Sequence, residues 1–224
     1  MIELHGVTVE RDGRAVLRDI NLKLPERRVG IIGANGSGKS TLVRLFNGLL
    51  LPSRGEVLVD GLSTRKNGKE VRRKVGFVFQ NPDNQIVYPT VGEDLAFGLK
   101  SPGRSKSETA DIVDACLAAY GLSHLKTRLT HQLSGGEKQL VAIAGVTIMQ
   151  PEYIVFDEPT TLLDLGNTKK IMQLIHDIEQ TVFLVSHDLD HLADFERLIC
   201  IHEGRIHADG APGEVLRQYR ELFA

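Results

Sequence analysis

Three short stretches of this chain combine residue types and spacings that suit phosphate chemistry. The first reads Gly33-Ala34-Asn35-Gly36-Ser37-Gly38-Lys39-Ser40-Thr41, a match to G-x-x-x-x-G-K-[ST]. Glycines let successive backbone N–H groups curl around phosphate oxygens with no Cβ in the way. A helix starting near Gly38 aims its positive end at the same anion. Lys39 then neutralises the β and γ phosphates of a nucleotide, and the Ser40 hydroxyl ligates Mg²⁺. The second stretch is Asp157-Glu158, closing the apolar run Tyr153 to Phe156. Asp157 is placed to hold Mg²⁺ through water and Glu158 to polarise a water for in-line attack on the γ-phosphate. Acidic pairs at strand ends also occur solvated or as helix caps; the phosphate loop upstream favours the catalytic role. The third is Leu133-Ser134-Gly135-Gly136-Glu137, small residues that would open a helix and form a second anion site. Alone, it reads rather as an ordinary N-cap with flexible glycines.

The elements that must position these residues alternate. Apolar residues at Ile2, Leu4, Val7 and Val9 predict a strand, Asp12-Gly13 a hairpin turn, and Ile20, Leu22 and Leu24 its return. Val29 to Ile32 predicts a buried strand leading into the glycine loop. Leu42, Val43, Leu45, Phe46, Leu49 and Leu50 predict the helix after it. Val57 to Val59 and Val75 to Phe79 read as further strands. Continuous apolar runs at Tyr153 to Phe156 and Val182 to Val185 suit parallel strands buried on both faces, with a helix at Ile171 to Ile178 between them. The middle, Val91 to Met149, reads as helical, with a capping box at Ser105 and Glu108 and a helix end at Gly121. A hairpin turning at Glu203-Gly204 and a short helix begun by Pro212 follow. The polar stretch Ser101 to Ser107 is expected to be a mobile loop. The fold class is α/β: a core of parallel strands, an antiparallel β layer in front and a helical insertion in the middle.

Size and composition exclude several functions. The 224 residues suit one domain, or one core carrying an inserted subdomain. A net charge of -2 and the absence of Trp argue against a nucleic-acid partner. Cys116 and Cys200 lie far apart without metal-ligand spacing and are expected to be inert thiols of a reducing compartment. Glu3 and His5 interrupt any leader-like opening, and Leu140 to Met149 is too short to span a bilayer. A membrane role is therefore expected to come through a partner.

The order of phosphate loop, Gln80 after a strand, Leu-Ser-Gly-Gly-Glu, Asp157-Glu158-Pro-Thr, Leu163-Asp164 and Ser186-His187-Asp188 resembles the ATPase domains of ABC transporters. The resemblance covers essentially the whole chain, and the five-residue signature is highly specific. It implies a P-loop NTPase (RecA-like) core spanning 1–224 with a helical subdomain at about 87–150. It implies ATP and Mg²⁺ as the bound species. Gln80 matches the glutamine that ligates Mg²⁺ and senses the transmembrane partner. Ser134, Gly135 and Gly136 match the signature that contacts ATP held by the opposing subunit. Asp164 matches the aspartate at the dimer seam, and His187 the switch histidine touching the γ-phosphate. The implied catalytic set is Glu158, His187, Lys39 and Gln80. The implied mechanism is a head-to-tail dimer that closes on ATP and reopens after hydrolysis.

Asn81-Pro-Asp-Asn-Gln85-Ile-Val87, Thr90 to Gly98 and Gln139 to Gly145 are similar to the ATPases of energy-coupling-factor importers. That implies uptake of a vitamin, with biotin-type ATPases the most alike in their compact C-terminus, or of cobalt or nickel. It also implies a transmembrane energy-coupling component, a substrate-binding membrane component, and an identical or paralogous second ATPase, at the cytoplasmic face of the cell membrane. The alternatives are the motor subunit of another ABC transporter, such as an exporter, and a soluble ABC ATPase acting on ribosomes or DNA. A plain P-loop kinase is disfavoured by Ser134-Gly135-Gly136. Two positions depart from the family pattern. Arg11 stands where many relatives have an aromatic on adenine; its guanidinium can stack on the base instead, predicting weak ATP-versus-GTP discrimination. Leu140 stands where many have Arg.

Overall fold

The computed structural model describes residues 1–99 and 104–224; Ser101 to Gly103 of the expected mobile loop lie outside the described residues. The chain forms two compact units. One comprises Met1–Phe77, Glu152–Glu158 and Glu179–Ala224; the other comprises Val78–Pro151 and Pro159–Ile178.

The first unit opens with strands β1 (Ile2–Arg11) and β2 (Arg14–Leu24), and β4 (Arg54–Val59) and β5 (Leu62–Ser63) join them in the order β2-β1-β4-β5. The apolar residues of β1 change phase, from even positions (Ile2, Leu4) to odd ones (Val7, Val9), yet all four are buried. One extra residue must be absorbed between them, because a strand alternates faces with period two. The register with both neighbours shifts at that point, and Gly6 takes φ +56° there. Opposite it, Gly55 sits at φ +80°, where a Cβ would come within 2.4 Å of the His5 and Gly6 carbonyl oxygens.

The second sheet has the order β10-β9-β3-β8-β7-β6, built from β3 (Arg28–Ile32), β6 (Val75–Val78), β7 (Tyr153–Asp157), β8 (Thr181–Val185), β9 (Arg197–His202) and β10 (Arg205–Gly210). The apolar runs of β3, β7 and β8 are buried along their length, as expected of strands covered on both faces. β3, β7, β8 and β9 run parallel, and Ile31 and Asp157 both register with Val185. Their C-terminal ends therefore form one edge, where α/β sheets place their ligands. Helix α1 (Lys39–Phe46) leaves the loop after β3. It stops before Leu49 and Leu50, contrary to the apolar series, because Gly48 turns the chain at φ +70°. Helices α2 (Gly68–Lys74) and α7 (Pro212–Glu221) complete this unit.

The second unit holds α3 (Val91–Gly98), α4 (Lys106–Ala119), α5 (Gly135–Thr147) and α6 (Leu165–Asp177). Its core gathers Val91, Leu95, Val113, Leu117, Leu125, Val141 and Ala144. Capping boxes start α3 (Thr90, Glu93), α4 (Ser105, Glu108) and α5 (Ser134, Glu137). α4 ends in a Schellman turn: Leu122 N–H donates to the Leu117 carbonyl at 2.7 Å while Gly121 holds φ +68°.

Candidate functional site

The first unit brings the phosphate loop and both acids together at the parallel edge. Gly33 follows β3 at φ +149°, and a Cβ there would lie 2.2 Å from the Ile201 carbonyl oxygen and 2.7 Å from the Ser37 hydroxyl. Only glycine fits. Gly38 holds φ +112° with the Leu17 side chain and Val16 carbonyl against it. The loop is fixed from behind by the β9–β10 hairpin, whose Gly204 N–H donates to the Ser37 carbonyl at 3.1 Å. Toward solvent, Asn35 and Gly36 are exposed and Gly36 faces open space. Ser37 Oγ is buried without a hydrogen-bond partner. A loop braced behind and open in front, with an orphaned hydroxyl, fits an anion cradle.

Lys39 opens α1 with its ammonium buried. It donates to the Gly33 and Ala34 carbonyls at 2.9 and 3.1 Å, and lies 3.9 Å from Glu158 Oε1. Burial lowers its pKa, and the charges of Glu158 and Asp157 pull the other way. Ser40, one residue on, donates to Asp157 Oδ1 at 2.8 Å. Burial raises the Asp157 pKa, against the Ser40 hydrogen bond and the Arg44 charge. A hydroxyl and a carboxylate side by side are the hard oxygen donors that Mg²⁺ takes, so this pair fits the ion. Thr41 is half-buried in the first turn of α1.

Glu158 departs from the strand into left-handed backbone, φ +53°, and its N–H donates to the Val185 carbonyl at 3.1 Å. Its carboxylate lies 2.7 Å from His187 Nε2, two residues beyond β8. His187 is exposed while Glu158 is nearly covered. Arg11 ends β1, exposed and in register with Arg14 across the hairpin. It lies in the same unit as the loop.

Gln80, Ser134, Gly135, Gly136 and Asp164 belong to the second unit. Gln80 is exposed two residues past β6. Gln80, Gly135, Gln139, Pro159 and Leu163 line one small cavity of about 140 Å³. Ser134 is the N-cap of α5: its Oγ donates to Glu137 Oε2 at 2.8 Å and accepts from Glu137 N–H at 3.3 Å. Those bonds, through the Ser134 backbone and side chain, lower the Glu137 pKa. Asp164 caps α6, accepting from Asn167 N–H at 2.9 Å and from Asn167 Nδ2 at 2.6 Å. Asn167 in turn packs on Gly136, where a Cβ would stand 2.5 Å from its Cγ.

Arg44 and Asn167 escape the sequence reading, and Glu137 enters it without its capping role. Arg44 Nη2 reaches Asp157 Oδ2 at 3.4 Å; its spacing of four from Ser40 on a helix was the available signal. Glu137 stands three residues after Ser134, the same capping-box pattern recognised at Ser105. Asn167 has no sequence signal; only the fold brings it to Gly136.

Comparison with known proteins follows the same lines. Residues 17–161 match the ABC transporter family model. The chain is 43% identical to the biotin transport ATP-binding protein BioM of Rhodobacter capsulatus, covering 97% of this chain and 93% of that protein. It is 44% identical to the energy-coupling factor transporter ATP-binding protein EcfA of Methanocaldococcus jannaschii, over 91% and 76% respectively. Among solved structures, cbiO1 of Clostridium perfringens, part of the ABC transporter complex cbiONQ, superposes with a TM-score of 0.85 at 35% identity, covering 99% of this chain and 92% of that one. An ATP-binding cassette solved as a dimer with ADP and phosphate superposes at 0.84 with 31% identity, over 95% and 99%. With a phosphate loop, a paired hydroxyl and carboxylate and a strand-end glutamate on one sheet edge, the chain belongs to the family of ATP-hydrolysing, ATP-binding subunits of ABC transporters.

Proposed function

We propose that this chain powers an energy-coupling-factor importer from the cytoplasmic face of the cell membrane, and that the cargo is a vitamin, biotin first, with cobalt or nickel as the alternative. The observation that carries the chemistry is the run of contacts Ser40–Asp157 at 2.8 Å, Lys39–Glu158 at 3.9 Å and Glu158–His187 at 2.7 Å. The importer class is supported by the near full-length identity to transport ATPases of that naming, and the biotin assignment by BioM. No helix among the described residues is long and apolar enough to cross a membrane, which fits a subunit docked on membrane partners: an energy-coupling component and a substrate-binding component.

The backbone of Gly33 to Gly38 binds the phosphates, with Lys39 as the counter-charge. Mg²⁺, when bound, screens the triphosphate; Ser40 and Asp157 would hold it, with Gln80 as a further ligand. Glu158 orients a water and accepts its proton, and His187 holds the Glu158 carboxylate in place. Ser134, Gly135 and Gly136 present the positive end of α5 to a nucleotide held by a second ATPase, identical or paralogous, with Asp164 at the seam. Arg11 stacks on the base.

Glu158→Gln tests the catalytic core. The variant keeps nearly the same shape, so it should bind ATP and dimerise, while turnover falls by roughly 10²–10⁴, the range of a lost general base. Wild-type-like steady-state hydrolysis would remove Glu158 from this role. Uptake of labelled biotin, cobalt and nickel by cells carrying the wild type and Glu158→Gln decides the cargo.

A further inference from the structure

We infer that Gln85 is a positioning residue that ties the loop carrying Gln80 to the helix carrying the Ser134–Gly136 tip. Its carboxamide has two unambiguous partners. Oε1 accepts from the Phe79 N–H at 3.2 Å, and Nε2 donates to the Ala142 carbonyl at 2.7 Å. An N–H and a carbonyl fix which end of the amide is which. Phe79 is the residue before Gln80, and Ala142 lies on α5, eight residues after Ser134 and so roughly 12 Å along the helix axis.

The surroundings hold Gln85 in that reach. A single 3₁₀ turn, Pro82–Asn84, precedes it, capped by Asn81, whose side chain accepts from Asp83 N–H at 3.0 Å. Gln85 N–H donates to the Pro82 carbonyl at 2.9 Å. Two further contacts join the same pieces. Gln139 of α5 is buried to 1% exposure, with Nε2 3.5 Å from the Phe79 carbonyl. Lys138 pairs with Asp83 at 2.7 Å. The Phe79 backbone is thus held at both its N–H and its carbonyl by glutamines. The salt bridge, whose Asp83 side chain is 61% exposed, is weak by comparison. Gln85 is the member that an isosteric change can cut on one side only. Glu keeps an acceptor for Phe79 and has no donor for Ala142; Leu has neither.

The inference rests on the proposed function, in which the chain docks on membrane partners and the α5 tip meets nucleotide, with Gln80 sensing the transmembrane partner as the family resemblance implies. A shift of the Gln80 loop then carries α5 with it. The test uses the full chain, alone and in its complex with the membrane components, as wild type, Gln85→Glu and Gln85→Leu. Four readouts are taken: thermal midpoint, ATP affinity of the isolated chain, amide exchange at Phe79, and the factor by which cargo stimulates hydrolysis in the complex. In Gln85→Leu, Phe79 exchange should quicken by about tenfold, what one ordinary hydrogen bond carries. ATP affinity should stay within about twofold, since a tenfold change needs a whole hydrogen bond, and cargo stimulation should fall. Gln85→Glu should keep Phe79 protected and still lose stimulation. Stimulation at the wild-type level in Gln85→Glu, or unchanged Phe79 exchange in Gln85→Leu, overturns the inference. A wild-type complex that cargo does not stimulate counts against the transport reading, and Phe79 exchange still decides whether the tie exists.

Discussion

Replacing Gly136 by alanine sets two effects of known size against each other. In helix α5 alanine is the better residue, by up to about 1 kcal/mol over glycine. Against that, the new methyl would stand 2.5 Å from Asn167 Cγ and 2.7 Å from both its amide atoms. Ordinary contact begins at 3.4 Å, so the carboxamide must withdraw by nearly 1 Å. It is not free to do so. Its Nδ2 is 2.6 Å from Asp164 Oδ2, and its backbone N–H is held by Asp164 Oδ1 at 2.9 Å. Overpacking of this kind costs about 1–3 kcal/mol, which outweighs the helical gain. Gly136→Ala should therefore lose about 1–2 kcal/mol, a fall in thermal midpoint of roughly 2–8 °C for a chain of this length. In an Asn167→Ala background the wedge is gone and only the helical preference remains, so the same substitution should be neutral or stabilising. The four proteins of this cycle, unfolded thermally side by side, should give a coupling of about 1–3 kcal/mol. If Gly136→Ala costs the same in both backgrounds within about 0.5 kcal/mol, Asn167 is not what excludes a side chain from this position.

Three other outcomes follow from the geometry. Gly204→Ala puts a Cβ 2.3 Å from the Val16 carbonyl oxygen at φ +73°, whereas Gly61→Ala at φ +77° meets nothing within 4 Å. Chemical denaturation should show only the left-handed cost of about 1–2 kcal/mol for Gly61→Ala and clearly more for Gly204→Ala; equal losses would refute the clash. Burial alone would raise the Asp60 pKa, but hydrogen bonds from the terminal ammonium, Tyr153 and Lys74 prevail and bring it down to about 2. A carboxylate depressed in the folded state adds stability that is complete above its unfolded value near 3.8 and is lost as pH falls toward 2. Tyr153→Phe removes one donor and should move acid unfolding to higher pH, and an unchanged acid limb would contradict this. Burial pushes the Cys116 and Cys200 thiols up to about 11. Neither should react with iodoacetamide at pH 8 while folded, and both should react on unfolding; rapid labelling of native protein would refute it.

Much of this architecture was legible because burial imposes a period on the sequence. The run at β3 announced a buried strand, those at β7 and β8 parallel ones, and Asp12-Gly13 and Glu203-Gly204 announced hairpins whose turn residues take positive φ. What stayed hidden lacks such a period. Helix α2 buries only Val71, so its pattern has a single apolar tooth. Strand β5 is two residues long. The apolar series after Lys39 overran the helix because Leu49, 47% exposed, answers to something other than the core. At the candidate site, motif residues were legible because phosphate chemistry restricts their types. Arg44 and Asn167 were not, because what selects them is a neighbour distant in sequence.

The acidic pair shows why motif and geometry are separate kinds of information. Successive residues of a strand point to opposite faces, so Asp157 and Glu158 in continued extended backbone could not both reach the start of α1. They do: Asp157 meets Ser40 at 2.8 Å, and Glu158 lies 3.9 Å from Lys39. The left-handed turn at Glu158, φ +53°, makes this possible at a cost of about 1–2 kcal/mol for a residue with a Cβ. The Val185 carbonyl holds the turn through the Glu158 N–H. Val185 is also the residue opposite Ile31 of β3. The strand that precedes His187 therefore fixes both the phosphate loop's register and the angle at which Glu158 leaves the sheet. Loop, acids and histidine form one arrangement because a single parallel strand, β8, is hydrogen-bonded to the strands that carry the other two.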